Sequence, residues 1–396
     1  MIKVQDLEIE KELFPLLNYT NHRLAADVLL RLLTDVPRSL HETLDRQDML
    51  KTFVAGWDHL QYFTCSKADL HEVYGFTNSH IQIDRIGLII NTVKKQQLRS
   101  SVIQCLTLFH KLHGFFAQLP PTISLFVHRI QQFLDAFQAY DASDILPVVT
   151  IIQNKSKVTE FWNDLFLFEA YYSIARAHIR HNFCFPEFAD ERFEVTGIFH
   201  PLLKEPVKNT IANSQHVVLL TGPNMSGKST FLKSVGLCVY LAHVGLGVPA
   251  AACVMPFFDT ICVAIHLKDD IKSGYSHFLS EIKTLKQVVS DAASNKRCFA
   301  VFDELFRGTN LEDALEIGTT TIRGLTRYRH SQFFISTHLH QLKERLPPQH
   351  ISTYCVDTHI KNNQPVFTYQ LKTGWSEVKI GQLLFEQEGL NQLLNA

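Results

Sequence analysis

The sequence predicts a helical first half followed by an α/β domain with a largely parallel sheet and a phosphate-binding loop. Three observations carry that prediction. Phe161, Leu165, Phe168, Tyr172, Ala175 and Ile179 step by four or three along a stretch from about Lys157 to His181, which makes one stripe of a long helix. After Asn182, short β-like runs at 193–195, 216–220, 257–264, 298–302 and 332–336 alternate with helical patterns. Between an apolar run starting at His216 and a further helical pattern lies Gly222-Pro223-Asn224-Met225-Ser226-Gly227-Lys228-Ser229, a match to G-x-x-x-x-G-K-S.

The helical elements follow in order. From Leu13 to Phe53 good helix formers dominate, with breaks near Pro15 and Pro37, and Leu24, Val28, Leu29, Leu32 and Leu33 recur at helical spacing. A second helical pattern runs from Ile83 to His113 and stops at Pro120-Pro121. It resumes over Thr122 to Ala139, and Pro147 marks another break. The change of texture places the domain boundary near Phe183–Phe188, with a helical part over 1–182 and an α/β part over 183–396.

Bulk properties narrow the class. A hydrophobic content of 46% with 19% charged residues is that of a folded globular chain rather than a disordered one. The net charge of -1 gives no global basic signature, so any nucleic-acid contact must use local patches. Eight cysteines without C-x-x-C spacing suggest neither a zinc ribbon nor a disulfide framework. Reduced thiols and a cytoplasmic location are the expectation. The first six residues, Met1-Ile2-Lys3-Val4-Gln5-Asp6, lack the apolar core of a secretory signal. No apolar run reaches membrane-spanning length, so no membrane partner is expected.

The loop predicts chemistry. Its glycines let backbone N–H groups turn toward phosphate oxygens, the helix N-terminus adds positive potential, and Lys228 can reach the outer phosphates. Ser229 offers a hydroxyl to Mg²⁺, and Thr230 completes the nucleotide-binding run. Downstream, the apolar run Cys298-Phe299-Ala300-Val301-Phe302 ends in Asp303-Glu304. With a phosphate loop upstream, Asp303 reads as a second Mg²⁺ ligand and Glu304 as the base that orients and deprotonates water. A third apolar run, 333–336, exits at Thr337-His338. A histidine there is placed to meet the γ-phosphate or the catalytic water, because strand ends of an open α/β sheet converge on the ligand. ATP and Mg²⁺ are the expected cofactors.

Several of these segments resemble the MutS family of DNA mismatch repair proteins. Thr221-Gly222-Pro223-Asn224-Met225-Ser226-Gly227-Lys228-Ser229-Thr230 is similar to that family's P-loop, and its Pro-Asn-Met insertion is narrower than the general pattern. Asp303-Glu304-Leu305-Phe306-Arg307-Gly308-Thr309-Asn310 resembles the family's Walker B segment and the loop after it, and Thr337-His338 its switch histidine. The stretch from Ser273 to Glu281 resembles its signature segment. The resemblance implies an ABC-type ATPase domain whose dimer shares composite sites, with Ser276 approaching the ATP of the opposite subunit. It also implies that 1–182 is a MutS-type helical core and lever region, on weaker matches at Asn21-His22-Arg23-Leu24 and from Leu44 to Leu50. A chain that starts at the core is expected to lack the mismatch-reading and connector domains. Phe185-Pro186-Glu187 matches the family's Phe-x-Glu reading motif but sits beside the ATPase domain, so it is not read as one.

Departures from the family are visible. Phe306 stands where glycine is usual, and His277 replaces the threonine after the signature serine. Aligned on Asn209, Pro206 takes the place of an adenine-stacking aromatic. The C-terminal segment with Val378, Leu383, Leu384, Leu390, Leu393 and Leu394 offers an apolar surface for a partner ATPase domain or for its own. The expected partners are double-stranded DNA, mismatched or branched, a second copy in a homodimer, and other repair proteins. Candidate DNA contacts are Lys94, Lys95, Arg99, Lys111 and Arg129, each patch alone reading somewhat more readily as a solvated helix face. The rival reading is a nucleotide-gated dimer whose helical half binds protein and no DNA.

Overall fold

The computed structural model describes residues 1–79, 92–120, 123, 125–213, 215–265, 277–306, 309–362, 364–376, 378 and 380–394. It separates into two compact units, one of Leu13–Arg180 and one of Met1–Glu12 with His181–Ala396.

The first unit is helical. Helix Arg23–Thr34 starts where the His22 ring accepts from Leu24 N, and helix Leu40–Ala55 starts where Ser39 Oγ accepts from Glu42 N. Helices Lys67–Asn78, Thr92–Phe116, Leu125–Asp135 and Ile145–Ile152 follow, and the long helix Lys155–Arg180 closes the unit. The aromatic stripe of that helix is core: Phe161, Phe168 and Tyr172 are buried, while Ile179 at its end is 36% exposed. Phe161 stacks on Phe133 with ring centroids 4.4 Å apart, and Phe168 meets Phe116 edge-on at 4.9 Å. Trp162 Nε1 donates to Thr77 Oγ1 at 2.9 Å, so the largest ring in this core keeps its polar handle satisfied.

Glu169 lies buried in this unit, its carboxylate accepting from Asn21 Nδ2 and His22 N at 3.3 Å each. Burial, partly offset by those donors, raises its pKa to about 7. The folded carboxyl therefore holds its proton far above the pH at which an unfolded one releases it. Its stabilising contribution is full below the ordinary glutamate pKa of 4.5 and is lost as pH rises toward 7. Glu169→Gln removes that loss. Denaturant unfolding is expected to find the variant more stable than the native chain by roughly 2–3 kcal/mol at slightly alkaline pH, with the gap vanishing in acid. An unchanged gap across that range would contradict this assignment.

The second unit is α/β. Its main sheet uses β1 (Ile2–Lys3), β5 (Val217–Thr221), β7 (Thr260–Ala264), β8 (Cys298–Phe302), β9 (Gln332–Thr337), β10 (Ile351–Lys361) and β11 (Gln364–Thr373). Among the described residues its order is β1-β7-β8-β9-β5-β10-β11, parallel throughout except for the antiparallel pair β10–β11. The central strands β5, β7, β8 and β9 are buried at every position, as a parallel sheet covered on both faces requires. A second sheet is ordered β2-β6-β3-β4 from Glu187–Phe188, Ala252–Met255, Phe193–Ile198 and Asn209–Asn213. Helices Lys228–Val244, His277–Ala293 and Leu311–Leu325 connect or cover the strands.

Three differences from the sequence reading have physical causes. Residues 1–12 group with the α/β unit rather than the helical one, because Ile2 and Lys3 pair with Ile261 and Cys262 and Asp6 Oδ2 accepts from Ile265 N at 2.7 Å. The run 257–264 is a strand only from Thr260, since Phe258 N donates to His243 Nε2 at 2.7 Å instead of to a ladder. β10 and β11 give weak apolar signals because most of their positions are half-buried or exposed, and β11 lies at the sheet edge.

Candidate functional site

Parallel pairing brings three strand exits to one edge. Thr221 pairs with Thr337 and Phe302 with Ile335, so the loop after β5, the acids after β8 and the histidine after β9 lie together. Thr221 is buried at the edge, its Oγ1 donating to Tyr354 O at 3.3 Å and accepting from Ser376 N at 3.0 Å.

The loop turns where its residue types allow. Gly222 has φ +146°, and a Cβ there would meet Ser226 Oγ at 3.0 Å. Gly227 has φ +97°, with the Tyr369 ring 3.0 Å from where a Cβ would stand. Met225 at φ +69° is 74% exposed, the neighbouring Asn224 is exposed too, and Pro223 is half-buried. Helix Lys228–Val244 begins directly after Gly227, and its second and third residues are Ser229, half-buried, and Thr230, exposed.

Lys228 is 5% exposed and its Nζ donates to Gly222 O at 2.9 Å and Pro223 O at 3.0 Å. The same Nζ lies 3.8 Å from Glu304 Oε1. Ser229 Oγ donates to Asp303 Oδ2 at 2.5 Å. Asp303 Oδ1 is bound by Ser336 Oγ, which also accepts from Glu304 N at 2.8 Å. A hydroxyl, a carboxylate and an ammonium are thus gathered around the loop. Ser226 Oγ is buried beside them and has no hydrogen-bond partner among the described residues. That orphaned hydroxyl, the inward lysine and the paired Ser229–Asp303 oxygens fit a phosphate chain with a hard divalent cation, whose ligands are oxygens.

Glu304 is set by its backbone. It adopts φ +52° and its side chain is 14% exposed, so the carboxylate sits at the edge without being fully solvated. Phe306, two residues on, has φ +68°, is buried, and packs against Phe278. Buried Glu281 holds this turn by accepting from Phe306 N at 3.1 Å. A left-handed backbone at 306 accounts for the glycine usual at this position in the resembling family, and phenylalanine carries the steric cost in exchange for burial. His338 follows β9 and is exposed.

One aromatic escaped the sequence reading. β11 bulges opposite Asp357, between the pairs Val356–Leu371 and Thr358–Phe367. Tyr369 lies in that bulge at φ +57°, 49% exposed, with its ring against Gly227. Asn209 holds it there: Nδ2 donates to Tyr369 O at 3.0 Å and Oδ1 accepts from Leu371 N at 2.8 Å. Sequence alone gives no cue, since the bulge depends on pairing 351–361 with 364–373.

Other predicted residues fall elsewhere. Ser276 lies outside the described residues. Lys94 and Lys95 fall on helix Thr92–Phe116, with side chains outside those described. Arg99 and Lys111 are exposed on the same helix. Arg129 is not a free cation: its Nε and Nη2 grip Asp164 at 2.8 and 2.6 Å. Asp164 is only 10% exposed at its side chain, so Arg129 is committed to neutralising a nearly buried carboxylate. None of the eight cysteines forms a disulfide, and no described helix is long and apolar enough to cross a membrane.

Comparison with known proteins finds relatives of the segment that holds this loop. Residues 218–390 match the family model described as MutS domain V. The chain is similar to the DNA mismatch repair protein MutS of Thermotoga maritima, 30% identical over 238 residues, which is 58% of this chain and 29% of that protein. The same-named protein of Bacillus subtilis is 31% identical over 207 residues, covering 50% of this chain and 24% of the relative. That of Oceanobacillus iheyensis is 29% identical over 220 residues, or 53% and 25%. The matched segment covers less than a third of the length of each of these relatives.

Proposed function

We propose, from the match of residues 218–390 to MutS domain V, that this chain is a Mg²⁺-dependent ATPase whose nucleotide state controls its grip on DNA. The observation carrying the proposal is the meeting of Ser229 with Asp303 at 2.5 Å, beside Lys228 and Glu304. Nothing in the one-dimensional sequence forces the two segments, 74 residues apart, to meet.

In this reading Mg²⁺, when bound, neutralises phosphate charge, and Ser229 and Asp303 hold it. Lys228 exchanges its two carbonyl partners for phosphate oxygens, and the loop amides from Gly222 to Gly227 complete the cradle. Ser226 Oγ supplies a further donor. Glu304 orients the attacking water and takes its proton, and His338 senses the outer phosphate from the next strand exit. The domain is of ABC type in this account, and Ser276 of one copy completes the site of another in a homodimer. The exposed Leu393 and Leu394 of helix Leu390–Leu394, each 73% exposed, support a role for the C-terminal segment in that pairing.

Tyr369 is the nucleobase platform in this account, replacing the aromatic missing at Pro206. Tyr369→Ala is expected to weaken ATP binding about tenfold, from the loss of roughly 1–2 kcal/mol of stacking, with kcat little changed. Tyr369→Phe restores the affinity. An alanine variant with native KM would remove Tyr369 from the site.

The helical unit is the MutS-type core and lever in this proposal, and closure of the dimer shifts its hold on mismatched or branched duplex in DNA repair, with other repair proteins as further partners. The relatives' name, DNA mismatch repair protein MutS, supports that role. Lys94, Lys95, Arg99 and Lys111 are the proposed phosphate contacts. Four neutralised phosphates predict that log affinity for a four-way junction falls with log salt at a slope of roughly -4. Replacing Arg99 and Lys111 by glutamine is expected to flatten it by about 2. Absence of junction binding at low salt would leave the nucleotide-gated protein-interaction dimer as the better reading. ATP turnover measured with and without linear, mismatched and branched duplex tests the proposal as a whole. Turnover unaffected by any of them would disconnect the nucleotide site from DNA.

A further inference from the structure

β9, β5 and β10 run parallel, so their starting ends share the sheet edge opposite the phosphate loop. The five residues of β5, at about 3.3 Å of rise each, set the two edges roughly 15 Å apart. At this far edge a cavity of about 550 Å³ is lined by Arg327, Arg329, His216 and His350, with Thr326 and Gln349 among the remaining wall residues. No carboxylate lines it.

Arg327 and Arg329 leave helix Leu311–Leu325 in a tight turn, with Arg329 N donating to Arg327 O at 3.2 Å and Ser331 N to Tyr328 O at 3.0 Å. Both side chains are exposed, and among the described residues neither guanidinium has an ion pair. Two acids, Asp190 and Glu191, line an adjoining cavity of about 340 Å³ that shares His216 and Arg329, and Asp190 is held by Arg297 at 2.5 Å. Burial first, then Arg329 and His330, make His216 hard to protonate. Two fixed cations and two imidazoles therefore line one cavity with no carboxylate in its wall, in a chain whose net charge is only -1. Like charges sharing one cavity repel, and an anion relieves the repulsion. A guanidinium matches the oxygens of a phosphoryl group in pairs, the imidazoles can add donors, and Thr326 and Gln349 supply neutral ones.

We propose that this pocket binds a phosphoryl group, borne either by a free polyphosphate or by a nucleic-acid backbone. It is separate from the loop of Lys228, and the proposal stands whether or not that loop takes nucleotide.

The test compares the native chain with the Arg327→Gln/Arg329→Gln double variant by isothermal titration calorimetry. One arm uses inorganic pyrophosphate, and the other a short single-stranded oligonucleotide. Both substitutions are at exposed positions, and matching thermal unfolding of the two proteins verifies the fold. The native chain is expected to show one more pyrophosphate site than the variant, or at least tenfold tighter oligonucleotide binding. A difference confined to pyrophosphate identifies a free polyphosphate as the ligand, and one larger for the oligonucleotide identifies a strand. Equal site number and affinity in the two proteins for both probes would overturn the proposal.

Discussion

Replacing Lys228 by alanine is expected to weaken binding of Mg-ATP about 100- to 1,000-fold. The ammonium is buried, where it donates to two neutral carbonyls and lies 3.8 Å from a glutamate. A triphosphate arriving at the loop replaces those with charged oxygens, and charge-assisted hydrogen bonds of this kind contribute roughly 1.5–3 kcal/mol each. Losing two of them, about 3–4 kcal/mol, corresponds to the stated range. Competition against a fluorescent nucleotide measures it, with thermal unfolding to verify that the buried position tolerates alanine. An affinity within threefold of the native value would mean that the ammonium serves the loop's own carbonyls and not phosphate.

Glu304→Gln is expected to keep nucleotide binding and lower turnover by about 100- to 10,000-fold, the range that a positioned general base contributes. Glutamine preserves the backbone bond from residue 304 to Ser336 Oγ and the packing of the turn behind it, and it removes the proton acceptor. Binding and turnover therefore separate in this variant, whereas they fall together for Lys228. Single-turnover hydrolysis at saturating Mg-ATP is the measurement. Matching native and variant rates would show that the strand-end glutamate is not the base.

The site was legible in the sequence wherever local chemistry fixes geometry. A glycine loop before a helix, an apolar strand ending in two acids, and a strand ending in threonine and histidine each specify a strand exit. Parallel pairing then does the rest, bringing Thr221 level with Thr337 and Phe302 with Ile335. What escaped depends on partners distant in the chain. Tyr369 reaches Gly227 through a bulge and through Asn209, 160 residues upstream. Ser336 lies inside an apolar run and shows no motif, yet it bridges Asp303 and Glu304. Arg129 read as a free cation because nothing local announces Asp164, 35 residues later. The first twelve residues read as part of the helical half because a two-residue strand has no periodicity. In the helical half the aromatic stripe was legible as core from its spacing, and buried Glu169 was not, since its environment is built from residues 147 and 148 positions away.

Titration of the native chain with ATP in the presence and absence of Mg²⁺ addresses the nucleotide site without relying on any variant. The account predicts saturable binding of one ATP per chain that tightens when Mg²⁺ is supplied and is displaced by ADP. Heat that fails to saturate, or binding indifferent to Mg²⁺, would contradict the pairing of Ser229 and Asp303 as the place where the cation is held.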